Sequence, residues 1–198
     1  ISPFEHNAVT RVLYALSKEY PLQISKLIVN RDLHYDLERI RYQFEEQRPD
    51  LVIVSHASNV IGLIAPLMDI FKLAKFYGAY TVADMSQTAG LVDTNLRECQ
   101  ADFAVFAGHK TLYGPMGVSG FLMNRDIRLP PILFGGTGIE SANQEMPEQL
   151  PARYEMGTMN TAGVAGLYAA LQWLKETGLN KLRRQEEQHR QRLIEILS

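Results

Sequence analysis

The sequence has little that would staple, anchor or steer it. Its 198 residues contain one cysteine, Cys99. A single thiol excludes an internal disulfide framework and fits a reducing compartment. No long uncharged apolar run and no signal-peptide pattern is visible, so a soluble, cytoplasmic protein is expected. The formal net charge is only -2, which gives no electrostatic reason to expect nucleic acid or a membrane as partner. The composition is otherwise that of an ordinary globular chain, 46% hydrophobic and 21% charged. That suffices for one core, and the length suits one domain or one plus a fragment.

Pattern adds what composition lacks. After Glu5-His6-Asn7-Ala8, the residues Val9, Val12, Leu13 and Leu16 recur at helical spacing, which puts His6 at a strand-to-helix junction. Ile24 to Val29 reads as a short strand. Asp36 is placed to cap a helix whose Leu37, Ile40 and Phe44 share one face and which stops before Pro49. Leu51-Val52-Ile53-Val54 is the continuous apolar run of a parallel strand covered on both faces. Pro66 opens the next helix, with Leu67, Ile70, Phe71 and Ala74 as its buried stripe and Gly78 as its stop. Thr81 to Gln87 holds another apolar strand ending in Asp84. Strand, helix, strand with short connectors is the βαβ unit, which implies a parallel sheet with a right-handed crossover.

The densest signal runs from Phe103 to Gly120. The apolar, aromatic-rich Phe103 to Ala107 reads as a buried strand that stops at Gly108 and presents His109 and Lys110 at its end. Gly114, Pro115, Gly117 and Gly120 then force tight turns. A lysine there can be desolvated, which frees an amine to attack a carbonyl. Ligands of parallel sheets gather at the carboxyl ends of the strands, and His6, Asn59, Asp84 and Lys110 all fall just beyond such ends. Each also has a plainer structural use: His6 at a helix start, Asn59 in a turn, Asp84 with Gln87 in a capping box, Lys110 as a solvated turn residue. His56 either supports the site from behind or is structural, and is given no role of its own. Cys99, in a polar helix end or loop before the next strand, reads as a structural thiol. Ser119 to Met123 is a further strand. Gly135-Gly136-Thr137-Gly138 is glycine-rich but does not link a strand to a helix, so a dinucleotide fingerprint is rejected. Val164, Leu167, Leu171 and Leu174 make a helical stripe ending at Gly178. Leu182, His189, Leu193, Ile196 and Leu197 follow on a last helix within a charged, solvated run.

Five segments in one order resemble a known family. They are Glu5-His6-Asn7-Ala8-Val9, Ala57-Ser58-Asn59-Val60-Ile61-Gly62, Asp84 to Gln87, Gly108-His109-Lys110 with Tyr113-Gly114-Pro115, and Glu155-Met156-Gly157-Thr158-Met159-Asn160. Over essentially the whole chain they are similar to the fold-type I enzymes that use pyridoxal 5'-phosphate (PLP). The match is to the class V aminotransferase and cysteine desulfurase family, in its desulfurase-like branch. The resemblance implies an α/β fold, a three-layer αβα architecture with a mostly parallel sheet. Residues 1–178 would be the PLP-binding large domain, incomplete at its N-terminus. Residues 179–198 would lead toward a C-terminal small domain.

The resemblance also implies roles. Lys110 is the lysine that bonds covalently to the cofactor, and His6 stacks on its ring and shuttles protons. Asp84 faces the ring nitrogen, Asn59 and Gln87 contact the phenolic oxygen, and His109 contacts the phosphate. Thr158 reaches the phosphate of a neighbouring subunit in a homodimer with a shared site, although Thr158 or Thr161 would equally serve as a helix N-cap. Where relatives often carry a hydroxyl two positions before His109, this chain has Ala107. The implied reaction converts L-cysteine to L-alanine with persulfide formation and hands sulfur to an acceptor protein. No metal is implied. Transamination, epimerisation or kynureninase-like cleavage would use the same residues, and a non-catalytic scaffold is the alternative from another class. The chain begins abruptly and lacks the family's N-terminal Gly-Thr phosphate loop, its nucleophilic cysteine and its substrate-carboxylate arginine. A fragment inactive on its own is therefore expected.

Overall fold

Alternating short strands and amphipathic helices fold as the βαβ pattern requires. The computed structural model describes residues 1–198. Strands β1 (Leu51–Ser55), β2 (Tyr80–Asp84), β3 (Phe103–Ala107) and β4 (Ser119–Met123) form one sheet in the order β1-β2-β3-β4. The first three are parallel and β4 runs antiparallel to β3. Register brings Ser55 beside Asp84, Asp84 beside Val105, and Ala107 beside Ser119. One end of the sheet therefore gathers the carboxyl ends of three strands and the start of the fourth.

Helices α2 (Leu37–Gln47) and α3 (Leu67–Phe76) supply the core. Asp36 caps α2 by accepting from the Arg39 N–H at 3.0 Å, as the sequence predicts. Ile40, Phe44, Ile70, Phe71 and Ala74 are at most 3% exposed and pack with Val52, Val54, Ala83 and Ala104. Each large side chain so buried is worth about 1.5–3 kcal/mol. Gly78 ends α3 at φ +83°, where a side chain would be strained. Asp102, buried just before β3, accepts from Lys75 of α3 and from the Thr81 N–H and hydroxyl of β2. It thereby pins helix to sheet. A second cluster joins Leu112, just after β3, to Leu167 and Leu174 of α4 (Thr161–Thr177) and Leu182 of α5 (Leu179–Leu197).

Some local expectations fail. Ile24 to Val29 is not a strand. The Leu27 N–H reaches Ile1 O and Val29 makes one bridge to Tyr35, too little to build a ladder. Helix α1 (Asn7–Leu16) forms where its period predicts, but none of its residues is buried, and Val12 and Leu16 face solvent. The same holds for Val164 and Leu171, because only the Leu167 and Leu174 side of α4 has a partner. Coverage of β1 is one-sided too: Val52 and Val54 are buried, Ile53 half-buried and Leu51 exposed. No helix is long and apolar enough to cross a membrane.

Candidate active site

At the end of the sheet where β1, β2 and β3 finish lies a cavity of about 280 Å³. His6, Asn59, Asp84, Gln87, His109 and Lys110 all line it, together with Ser55, Ser86 and Ser119. Four separate segments thus deliver six of the seven predicted residues. Thr158 is the exception. It is exposed on the segment before α4 and does not line the cavity. Nor does it cap that helix: Asn160 does, accepting from the Gly163 N–H at 3.0 Å. A larger open groove of about 770 Å³, with Lys75, Arg97 and Arg125 in its wall, lies at the opposite end of β3 and holds none of these residues.

The lysine loop is shaped by close backbone contact. Gly108 donates to Val118 O at 2.9 Å and accepts from the Gly114 N–H at 2.7 Å. A Cβ at Gly108 would stand 2.6 Å from Val118 O, so only glycine fits. Leu112 then anchors the loop against α4. Between these fixed points His109 and Lys110 project from a turn, and both are exposed. The desolvation expected for Lys110 is therefore absent, because the cavity opens to solvent on its side. Neither the lysine nor Asp84 belongs to any of the three ion pairs, Lys75–Asp102, Arg153–Glu148 and Arg190–Glu187.

The opposite wall is more ordered. His6 is the N-cap of α1, and its Nδ1 accepts from the Ala8 N–H at 3.1 Å. Its plain structural use is thus real, and it leaves Nε2 as the nitrogen that carries the ring proton in the neutral form. Asp84 starts no helix and forms no capping box with Gln87. Its Oδ1 instead accepts from the Ser86 N–H at 2.9 Å and the Ser86 hydroxyl at 2.5 Å. Asn59 sits on a tight loop held by Ser58, whose hydroxyl accepts from the Val60 N–H and whose N–H donates to Leu63 O. An acid, an amine, two imidazoles and two carboxamides therefore face one small space.

The chain as a whole has known relatives. The family description Aminotransferase class-V matches residues 1–198. The chain belongs to the class V aminotransferase family. It is 30% identical over 201 residues to a probable cysteine desulfurase of Pyrococcus abyssi, covering 99% of this chain and 49% of that protein. It is 34% identical over 195 residues to a cysteine desulfurase of Escherichia coli, covering 94% and 47%. The apo structure of a cysteine desulfurase from Thermococcus onnurineus superposes with a TM-score of 0.85 at 29% identity, covering 98% of this chain and 49% of that one. The chain spans about half the length of the relatives it matches.

The cavity is also shaped by contacts that pattern reading missed. Glu5 places His6: its carboxylate accepts from the Ser55 N–H at 2.6 Å and the Ser55 hydroxyl at 2.8 Å, tying the segment before α1 to the end of β1. The only sequence signal was its position next to His6. Behind the cavity, His56 Nδ1 lies 2.8 Å from Thr88 Oγ1, with both residues buried. This pair links the loop carrying Asn59 to the loop carrying Gln87, and burial lowers the His56 pKa below its ordinary value. Cys99 is 1% exposed, and burial pushes its thiol up to about 11, which fits the structural thiol expected.

Proposed function

We propose that this chain is the PLP-bearing part of a cysteine desulfurase. The observation that carries the reading is the convergence of Lys110, Asp84, His6, Asn59, Gln87 and His109 on one cavity. The donor set suits the cofactor. Asp84, with Oδ2 accepting nothing from the chain, would face a protonated ring nitrogen. Asn59 and Gln87 would face the phenolic oxygen, His109 the phosphate, and Lys110 the aldehyde. The relatives named as cysteine desulfurases favour L-cysteine over other class V substrates.

When bound, PLP supplies an electron sink for negative charge developing on a substrate carbon. The remaining work belongs to this chain's side chains. Asp84 would hold the proton on the ring nitrogen. Lys110, which belongs to no ion pair, would hold the group through its aldehyde with loss of water, and its amine, once released, would accept a proton at Nζ as a base. His6, held at Nδ1 by the Ala8 N–H, keeps its own proton at Nε2 for transfer. Cys99 cannot accept sulfur, because it is buried and its thiol is held in the protonated form. The chain alone is therefore expected to produce no alanine or sulfide from L-cysteine, and detecting both would refute this reading of Cys99. In a homodimer, as the family resemblance implies, Thr158, which is exposed and outside this cavity, would serve the same site in a second copy.

The test is an absorption spectrum of the purified chain with PLP beside that of Lys110→Ala. A visible band that survives dialysis in the parent and is missing in the variant is expected. An unchanged band in Lys110→Ala would sink the lysine assignment.

A further inference from the structure

Asp84 is the one acidic residue lining the cavity, and its two carboxylate oxygens are not equivalent. Oδ1 takes both Ser86 donors, the N–H at 2.9 Å and the hydroxyl at 2.5 Å, while Oδ2 takes none. The O–H···O contact has the length of a charge-assisted hydrogen bond. An aspartate carboxylate otherwise rotates about a soft, broad torsion. Two donors on one oxygen remove that freedom. Ser86 and Asp84 are both half-buried at the cavity wall, so the pair is partly shielded from competing water.

We infer that Ser86 is a positioning residue: its hydroxyl saturates Asp84 Oδ1, locks the carboxylate, and presents Oδ2 alone to the ring-nitrogen proton of PLP. The inference rests on the proposed reading of this cavity as a PLP site. Two effects compete when the hydroxyl is removed. Oδ1 becomes a slightly better acceptor, which favours a cation, but water can replace the lost donor at this half-exposed position. The carboxylate also regains rotational freedom that binding must then take away. The second effect dominates, because immobilising one side chain costs about 0.5–1.5 kcal/mol, or roughly two- to tenfold in affinity. The benefit of Ser86 is confined to ligands that bring an N–H to Oδ2.

The test compares dissociation constants for PLP and for an analogue in which the ring nitrogen is replaced by C–H. Both are measured on the wild-type chain, Ser86→Ala and Ser86→Thr. The wild type is expected to prefer PLP. Ser86→Ala should weaken PLP about two- to tenfold and leave the analogue unchanged, and Ser86→Thr should restore the preference. Equal weakening of both ligands in Ser86→Ala would mark a merely structural role and overturn the inference, as would full retention of the preference. A wild-type chain that binds PLP and the analogue equally, or binds neither, overturns the reading of Asp84 and this inference with it.

Discussion

Gly108→Ala tests whether the lysine loop is held as described. The added methyl would stand 2.6 Å from Val118 O and 3.4 Å from Leu167 Cδ1. The first contact is with backbone, which cannot swing aside. Val118 O is also the acceptor of the Gly108 N–H. Relief must therefore stretch that hydrogen bond, worth about 0.5–1.5 kcal/mol, on top of about 1–3 kcal/mol for overpacking. Restricting the unfolded chain returns about 0.4–1 kcal/mol. The net loss centres on about 2 kcal/mol, which for a chain of this size lowers Tm by about 4–8 °C. Gly136→Ala is the control. A Cβ there meets nothing within 4 Å and the backbone is not left-handed, so the same substitution should be neutral or slightly stabilising. Thermal unfolding followed by circular dichroism reads both. If Gly108→Ala melts within a degree or two of Gly136→Ala, the close approach of Gly108 to Val118 is not what shapes the loop.

Three further outcomes are expected. Asp102→Ala removes the acceptor for Lys75 and for the Thr81 N–H and hydroxyl; it should cost about 3–5 kcal/mol in denaturant unfolding, and a loss under 1 kcal/mol would contradict the pinning role. His56 is buried neutral with a lowered pKa, so its contribution to stability is complete above its unfolded value near 6.5. As pH falls from there through the folded pKa, the unfolded chain binds the extra proton and stability drops by at most about 1.4 kcal/mol per pH unit. His56→Gln should remove that slope, and an unchanged pH profile would show that His56 does not carry it. Cys99 should be silent to a thiol reagent at mildly alkaline pH and react as one thiol in denaturant; equal rates in both would contradict its burial.

Much of this protein is written in short-range pattern. The α3 stripe of Leu67, Ile70, Phe71 and Ala74, the Asp36 cap and all four strands appear where local spacing puts them, because period and capping are properties of neighbouring residues. So does the placing of Asn59, Asp84 and Lys110 at or just past strand ends, which the parallel register gathers on one cavity, whereas His6 follows no strand, contrary to the strand-to-helix junction expected, and reaches the cavity as the N-cap of α1.

Contacts between distant residues decided the rest. Nothing in Glu5 or Ser55 alone announces a carboxylate that ties two segments 50 residues apart, and the His56–Thr88 pair spans 32. The Ser86 grip on Asp84 is close in sequence, yet the expected capping box has the same residue types, and only the backbone turn after β2 selects Ser86 over Gln87. Burial likewise depends on what packs opposite. The same 3.6-residue stripe is buried in α3, where the sheet receives it, and exposed in α1, where nothing does. Ile24 to Val29 has the apolar content of a strand but no neighbouring edge that gives it a ladder. Lys110 lies on the open side of the cavity, an outcome set by tertiary packing, because solvent access depends on the arrangement of all four segments at once.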